Sequence, residues 1–220
     1  TDQPWGGDVV YLAASDFTTP LTLFALDLNV MELTVMRRQP QQFVSDGIEV
    51  RQFWAVSSDG ERIPYFHVGK NATPDTPTLV YAYGGFGIPE LPHYLGSVGK
   101  YWLEEGNAFV LANIRGGGEF GPRWHQAAQG ISKHKSVDDL LAVVRDLSER
   151  GMSSPKHIGL QGGSNGGLIT AAAFVREPQS IGALVCEVPL TDMIRYPLLS
   201  AGASWTDEYG NPQKYEVCKR

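Results

Sequence analysis

The stretch HIGLQGGSNGGLITAAAF, residues 157–174, decides the fold of this chain. It opens with a short apolar run, His157 to Gln161, which is typical of a buried strand, and the residues after Gly167 have the small apolar pattern of a buried helix. Between them stands Ser164, within the pattern G-x-S-x-G. A tight turn from strand to helix holds such a serine in a strained backbone, with its hydroxyl above the sheet. The stretch therefore predicts a nucleophile elbow with Ser164 at its tip.

The same turn supplies a donor for a developing oxyanion. The backbone N–H of Asn165 would lie at the N-terminus of the helix, where it can stabilise negative charge on a bound carbonyl oxygen. A phosphate-binding loop is the main alternative for a glycine-rich turn, but no Lys-Ser or Lys-Thr pair follows these glycines. A flexible turn without chemistry is the second alternative. We favour the nucleophile.

Around the elbow, strands and helices alternate from residue 78 onward. The apolar patterns predict four strands, at 78–83, 108–114, 157–161 and 183–188. They also predict three helices, at 96–106, 137–151 and 165–177. Ser136 is the expected N-cap of the central helix. Apolar strands that alternate with helices indicate an α/β fold with a mostly parallel sheet.

The N-terminal part has a different pattern. Residues 8–36 contain three short apolar or alternating segments separated by turn residues, which predict three strands. Residues 48–68 read as a β-hairpin, because the turn SSDG contains an Asp-Gly pair. The sequence therefore predicts a small all-β domain over residues 1–40, followed by an α/β domain over residues 41–220.

Composition limits the classes of function. The chain has 220 residues, of which 42% are hydrophobic and 19% charged, and its net charge is −6, which disfavours a nucleic-acid surface. No apolar run is long enough for a membrane span, and the polar N-terminus does not resemble a signal peptide. Cys186 and Cys218 form no spacing motif, so we expect reduced thiols in a cytoplasmic protein. We expect no metal and no cofactor.

Three further segments carry candidate site residues. Tyr83 ends a predicted strand, where its phenol can reach the elbow, although a half-buried structural tyrosine is the alternative. Arg115 stands beside three glycines after the next strand, and we favour a structural role there over a clamp for a carboxylate. Trp205 and Tyr209 either stack on a flat substrate group or belong to the core.

Five segments together indicate a family. YAYGGFG, ANIRGGGEFGPRWH, SPKHIGLQGGSNGGL, VPLTDMIRYP and SWTDEYG follow one another within residues 48–212. In this order and spacing the chain resembles the prolyl oligopeptidase family of serine peptidases. The resemblance implies a truncated α/β-hydrolase and acyl transfer through a serine. It also implies that residues 1–40 are a remnant of one blade of that family's β-propeller.

The resemblance assigns the site residue by residue. Ser164 matches the nucleophile, and the N–H of Asn165 and the hydroxyl of Tyr83 match the oxyanion hole. Four residues fall where the family lines the apolar pocket for the residue before the scissile bond: Phe86, Leu190, Trp205 and Tyr209. Trp205 matches the tryptophan that stacks on a proline ring in that pocket.

One part of the family pattern is missing. The family orders its triad Ser…Asp…His, whereas all five histidines of this chain precede Ser164. Three explanations are compatible with this departure: a fragment of a longer peptidase, a short protein with a substitute base, and a site completed by a partner chain. For a substitute base, His125 is the first choice, ahead of His134 and His157.

These observations predict a serine hydrolase that cleaves amide or ester bonds in small peptide-like or aromatic amide substrates. The short length is similar to that of a truncated, albicidin-hydrolysing member of the family, which implies detoxification of the antibiotic albicidin. The alternatives are a non-catalytic protein that sequesters an aromatic ligand, and the N-terminal part of a larger prolyl oligopeptidase. We expect no nucleic-acid or membrane partner, and open strand edges would allow a homodimer.

Overall fold

The computed structural model describes residues 7–214, which form two compact units. The first unit consists of residues 7–48 and Pro92–Glu105, and the second of Glu49–Leu91 and residues 106–214. Cys218 lies outside the described residues, and Cys186 is a free thiol. No helix within residues 7–214 has the length and apolar character needed to cross a bilayer.

The first unit contains an antiparallel sheet of three strands in the order β1-β2-β3. The strands are β1 (Val9–Ala14), β2 (Thr22–Asp27) and β3 (Glu32–Arg38), so the three predicted strands are confirmed. Every residue of β1 and β3 is exposed. The sheet therefore buries little apolar surface of its own, and its origin as a propeller blade stays a prediction.

The first unit also contains the helical segment expected at residues 96–106. The structure has a short helix α1 (Gly96–Val98) that continues as a π-helical turn, Gly99–Leu103. Phe43 stacks on Tyr94 with ring centroids 5.3 Å apart, and a side chain at Gly99 would collide with the Phe43 ring. This close packing explains why glycine stands at that position.

The second unit is built on a sheet of six strands in the order β4-β5-β7-β6-β8-β9. They are β4 (Glu49–Val56), β5 (Arg62–Gly69), β6 (Thr78–Ala82), β7 (Ala108–Ala112), β8 (Ile158–Gly163) and β9 (Ala183–Glu187). The pairs β6–β7, β6–β8 and β8–β9 are parallel, whereas β5 is antiparallel to both β4 and β7. The α/β class and the hairpin are confirmed, and the sheet is mixed.

Four helices belong to the second unit: α2 (Pro122–Gln126), α3 (His134–Glu149), α4 (Asn165–Arg176) and α5 (Thr206–Tyr209). Short 3₁₀ turns occur at Gly130–Ser132, Pro155–His157, Pro178–Ser180, Tyr196–Leu198 and Gly202–Trp205. The expected N-cap at Ser136 is wrong, because α3 begins at His134. Ser136 lies inside the helix, and its hydroxyl donates to the Arg115 carbonyl at 2.7 Å.

The core of the second unit lies where α3 and α4 pack on the sheet. Helix α3 contacts β4, β5 and α4, and α4 contacts β6, β8 and β9. The predicted apolar stripe of α3 is fully buried there, with Leu140, Leu141, Val144 and Leu147 at most 1% exposed. This packing fixes the carboxyl ends of β6 and β8, which carry the candidate site.

Candidate active site

The elbow forms where the sequence predicts it. Strand β8 ends at Gly163, α4 starts at Asn165, and Ser164 between them has φ 54° and ψ −115°. Positive φ is strained for a residue with a side chain, and such strain is common at catalytic positions. The Ser164 N–H donates to the Glu187 carbonyl at 2.9 Å, which ties the elbow to the end of β9.

The two pattern glycines leave room for this turn. A Cβ on Gly166 would lie 2.5 Å from the carbonyl oxygen of Ala82, and a Cβ on Gly162 would collide with the carbonyl of Gly166. By contrast, a Cβ on Gly163 would find its nearest neighbour at 3.7 Å, an ordinary contact distance. The close approach of β8, α4 and the end of β6 therefore requires glycine at two of these positions and tolerates a side chain at the third.

Tyr83 lies beside the elbow. It directly follows β6, which pairs with β8, and its phenol interacts with the Ser164 hydroxyl. Burial raises the pKa of the Tyr83 phenol, and the interaction with Ser164 opposes only part of that rise. The phenol is therefore protonated at neutral pH and can donate to an oxyanion. Asn165 is the first residue of α4, so its backbone N–H has no acceptor within the helix.

The side chain of Asn165 has a role that the sequence reasoning missed. It is fully buried, and its Nδ2 donates to the Tyr83 carbonyl at 2.5 Å while its Oδ1 accepts from the Tyr209 hydroxyl at 3.0 Å. One amide thus connects the elbow to two predicted site residues. The G-x-S-x-G pattern leaves this position open, so nothing in the motif identifies the side chain as a clamp.

The predicted pocket aromatics form one cluster. Phe86 packs edge-to-face on Tyr209 at 5.7 Å, and Tyr209 packs in the same way on Tyr196 at 5.5 Å. Trp205 stacks on Tyr196 with centroids 6.5 Å apart. The sequence did not identify Tyr196, although its ring contacts both Trp205 and Tyr209. Leu190 lies half-buried in the segment after β9, and its role in the pocket stays a prediction.

A buried ionic cluster, which we call the Glu208 cluster, lies behind these rings. Glu208 is 3% exposed, and its carboxylate lies 2.7 Å from His125 Nε2 and 2.6 Å from Lys133 Nζ. Burial favours the protonated acid, but the Lys133 charge and the hydrogen bonds from His125, Lys133 and the Phe86 N–H outweigh it and lower the pKa of Glu208. Burial lowers the pKa of Lys133, and Glu208 counteracts this.

The structure therefore brings His125 to Glu208, and its role as the base stays a prediction. The other two candidate bases have partners of their own. His134 Nδ1 lies 3.0 Å from the Ile131 carbonyl, and His157 Nδ1 lies 2.9 Å from Ser154 Oγ.

Arg115 has the bonding pattern of a structural residue. It is 3% exposed, and its guanidinium pairs with Asp139 at 2.6 Å and with Asp59 at 2.6 Å. Its Nη2 also donates to Ser57 Oγ at 3.2 Å, and its backbone N–H donates to Asp139 at 3.0 Å. With these partners the guanidinium holds the loop after β7 against α3 and the turn between β4 and β5, in agreement with the structural interpretation. We call these four residues the Arg115 cluster.

Comparison with known proteins identifies relatives over nearly the whole chain. The sequence profile described as the prolyl oligopeptidase family matches residues 95–220, more than half of the chain. An uncharacterized peptidase of Sinorhizobium fredii is 43% identical over 208 residues, which cover 93% of this chain and 29% of that protein. A prolyl endopeptidase of Elizabethkingia meningoseptica is 31% identical over 207 residues, with the same two coverages of 93% and 29%.

Solved structures give the same result. A post-proline cleaving enzyme from Rickettsia typhi superposes with a TM-score of 0.89 at 38% identity, over 96% of this chain and 31% of that one. Prolyl oligopeptidase B from Galerina marginata superposes with a TM-score of 0.90 at 30% identity, over 96% and 30% of the two chains. Variants of that protein replace a serine, and an aspartate and a histidine that follow it in the chain, by alanine. This chain spans less than a third of the length of each of these relatives.

Proposed function

The chain belongs to the prolyl oligopeptidase family, and on that premise we propose that it carries the nucleophile, the oxyanion hole and part of the pocket of a serine hydrolase. The observation that supports this most strongly is the geometry of Ser164. Its strained backbone lies between β8 and α4, and its hydroxyl interacts with the Tyr83 phenol. The family consists of serine hydrolases, and this geometry is the one that presents a serine as a nucleophile.

In the proposed reaction, Ser164 Oγ attacks the carbonyl carbon of an amide or ester bond, and the carbonyl oxygen becomes an oxyanion. The Asn165 N–H and the Tyr83 hydroxyl would donate to that oxygen, because both stand beside Ser164. Loss of one such donor costs about 10²- to 10³-fold in kcat in other enzymes. The leaving group then departs with a proton, and water hydrolyses the resulting acyl-serine ester.

The proton of Ser164 needs an acceptor, and there are two candidates for this base. The sequence favours His125, but the Nε2 of that ring lies 2.7 Å from Glu208. In the Galerina marginata protein, an aspartate and a histidine that follow the serine have been the targets of substitution. We therefore favour a histidine that acts first as base and then as acid, oriented by an aspartate, with both residues matching those two and lying outside residues 1–220. His125 then belongs to the wall of the pocket.

For the substrate, we propose a peptide or peptide-like molecule cleaved after proline. Relatives of this chain are named prolyl endopeptidase and post-proline cleaving enzyme. The cluster of Phe86, Trp205 and Tyr209 offers flat apolar faces of the kind that pack on a pyrrolidine ring.

Hydrolysis of the aromatic amide albicidin is a narrower prediction. The aromatic cluster suits the rings of an aromatic amide as well as it suits proline. Incubation with albicidin beside a prolyl peptide would separate the two, since a detoxifying enzyme would have the higher kcat/KM for the antibiotic.

Substitution of Ser164 tests the proposal. In the intact protein that contains this sequence, we expect Ser164→Ala to lower kcat for a prolyl 4-nitroanilide by at least about 10⁴-fold. His125→Gln is the companion variant, because loss of a general base costs about 10²- to 10⁴-fold in kcat, whereas a residue of the pocket wall changes mainly KM. Equal turnover by wild type and Ser164→Ala would reject the proposal of a hydrolase that uses Ser164. Binding without turnover in the wild type would favour a protein that sequesters its ligand.

A further inference from the structure

Glu208 is a buried carboxylate whose two oxygens face different partners. Its Oε1 lies 2.6 Å from Lys133 Nζ, and its Oε2 lies 2.7 Å from His125 Nε2. The backbone N–H of Phe86 also interacts with this carboxylate. A carboxylate at 3% exposure is stable only when its charge is compensated and its oxygens have partners, and Lys133 and His125 provide both.

The cation of the cluster also contacts the loop that carries the oxyanion tyrosine. Lys133 Nζ donates to the carbonyl of Gly84, the residue after Tyr83, at 2.9 Å. The same ammonium lies 5.6 Å from the ring centroid of Tyr209. Lys133 therefore joins Glu208, the loop after β6 and one wall of the pocket.

Phe86 has a strained backbone beside this cluster. Its φ of 56° lies in the left-handed region, which is unfavourable for a residue with a side chain. Its N–H interacts with the Glu208 carboxylate, and its ring packs on Tyr209, the residue that follows Glu208 in α5. The carboxylate is thus linked to both rings of the wall, to Phe86 through its N–H and to Tyr209 through the backbone.

We infer that Glu208, held by Lys133 and His125, is a positioning residue that fixes Phe86 and Tyr209 as a wall of the substrate pocket. The inference rests on the proposed function, because it takes these rings to receive the residue before the scissile bond. Glu208 does not act on the reacting atoms and exerts its effect through the two rings. Its loss should weaken binding of a substrate that fills the pocket and spare a substrate that leaves the pocket empty.

Two substrates separate these effects in the intact protein. For Glu208→Gln we expect KM for a prolyl 4-nitroanilide to rise about tenfold, with kcat/KM for p-nitrophenyl acetate unchanged within about twofold. The prolyl group fills the pocket and the acetyl group does not. Glu149→Gln, the same substitution at an exposed position of α3, should leave both substrates unaffected.

Binding without turnover provides the second readout. On the Ser164→Ala background, Glu208→Gln should raise the Kd of a prolyl peptide about tenfold, and Glu208→Asp, which keeps the charge, should recover part of the affinity. Near-ultraviolet circular dichroism establishes that each variant is folded, and Glu208→Asp carries the test if Glu208→Gln does not fold. An unchanged Kd, or an equal loss on both substrates in a folded variant, would overturn the inference. Wild-type turnover by Ser164→Ala would instead reject the proposed function.

Discussion

The Arg115 cluster and the Glu208 cluster are both buried and ionic, yet they differ in what they hold. In the first, a cation at 3% exposure pairs with two carboxylates, and its partners come from α3 and from the turn between β4 and β5. In the second, a carboxylate at 3% exposure pairs with a lysine and a histidine and also interacts with the Phe86 N–H. The first joins parts of the framework, and the second joins walls of the candidate pocket. Burial and ion pairing are therefore common to both clusters. What distinguishes the two is the part of the protein that each contacts, which is the framework for the first and the candidate pocket for the second.

The largest expected effect tests the structural side of this comparison. Arg115→Ala should lower the free energy of unfolding by about 3–5 kcal/mol, because it leaves the fully buried Asp139 without its cation. Arg123→Ala, at an exposed arginine of α2, is the matched control and should change stability by no more than about 0.5 kcal/mol. Urea unfolding followed by circular dichroism measures both. A loss below about 1 kcal/mol in Arg115→Ala would mean that the cluster does not hold the framework.

His67 provides a contrast to both clusters, because it is a buried titratable group without an ionic partner in the described part of the chain. Among residues 7–214, His67 on β5 is 4% exposed and its Nε2 has no hydrogen-bond partner. Burial, assisted by the charge of Arg51, lowers the pKa of His67 to about 4. The imidazole is therefore neutral in the folded protein at a pH where the unfolded chain already binds a proton, and the protein loses stability as the pH falls from about 6.5 to 4.

That loss should reach about 3 kcal/mol, because each unit of pKa difference corresponds to about 1.4 kcal/mol. His67→Phe removes the titration, so its urea midpoint should fall less steeply than that of the wild type between about pH 7 and pH 4. Parallel slopes for the two proteins would show that His67 is not held neutral by burial.

The smallest expected effect concerns the elbow, where close packing and not charge positions Ser164. Gly166→Ala places a methyl group 2.5 Å from the Ala82 carbonyl oxygen, so we expect it to cost about 1–3 kcal/mol of stability and to lower kcat of the intact protein. Gly163→Ala is the matched control at the same turn, since its methyl group would meet its nearest neighbour at 3.7 Å. If the two variants behave alike, close packing does not set the elbow.

Local patterns were sufficient to predict the elbow and the strands around it. The G-x-S-x-G pattern located Ser164 between β8 and α4, and alternating apolar segments located the three strands of the first unit. Helix α3 begins earlier than predicted, at His134, and the Ser136 hydroxyl donates to the Arg115 carbonyl and does not cap the helix. That partner lies on a different element, so a local pattern could not identify it.

The contacts that define the pocket wall were not predictable in this way. His125 and Glu208 are 83 residues apart in the chain, and Lys133 and Glu208 are 75 apart. No local periodicity connects residues at such separations. The Asn165 side chain was missed for the same reason, since its partner Tyr83 is 82 residues away.

Covalent labelling of the nucleophile tests the central claim most directly. The intact protein that contains this sequence would be treated with a fluorophosphonate, which phosphonylates activated serines, and the adduct would be mapped by peptide mass spectrometry. We predict a single adduct on Ser164, and none in Ser164→Ala. An adduct on another serine, or equal labelling of the two proteins, would contradict the assignment of Ser164 as the nucleophile.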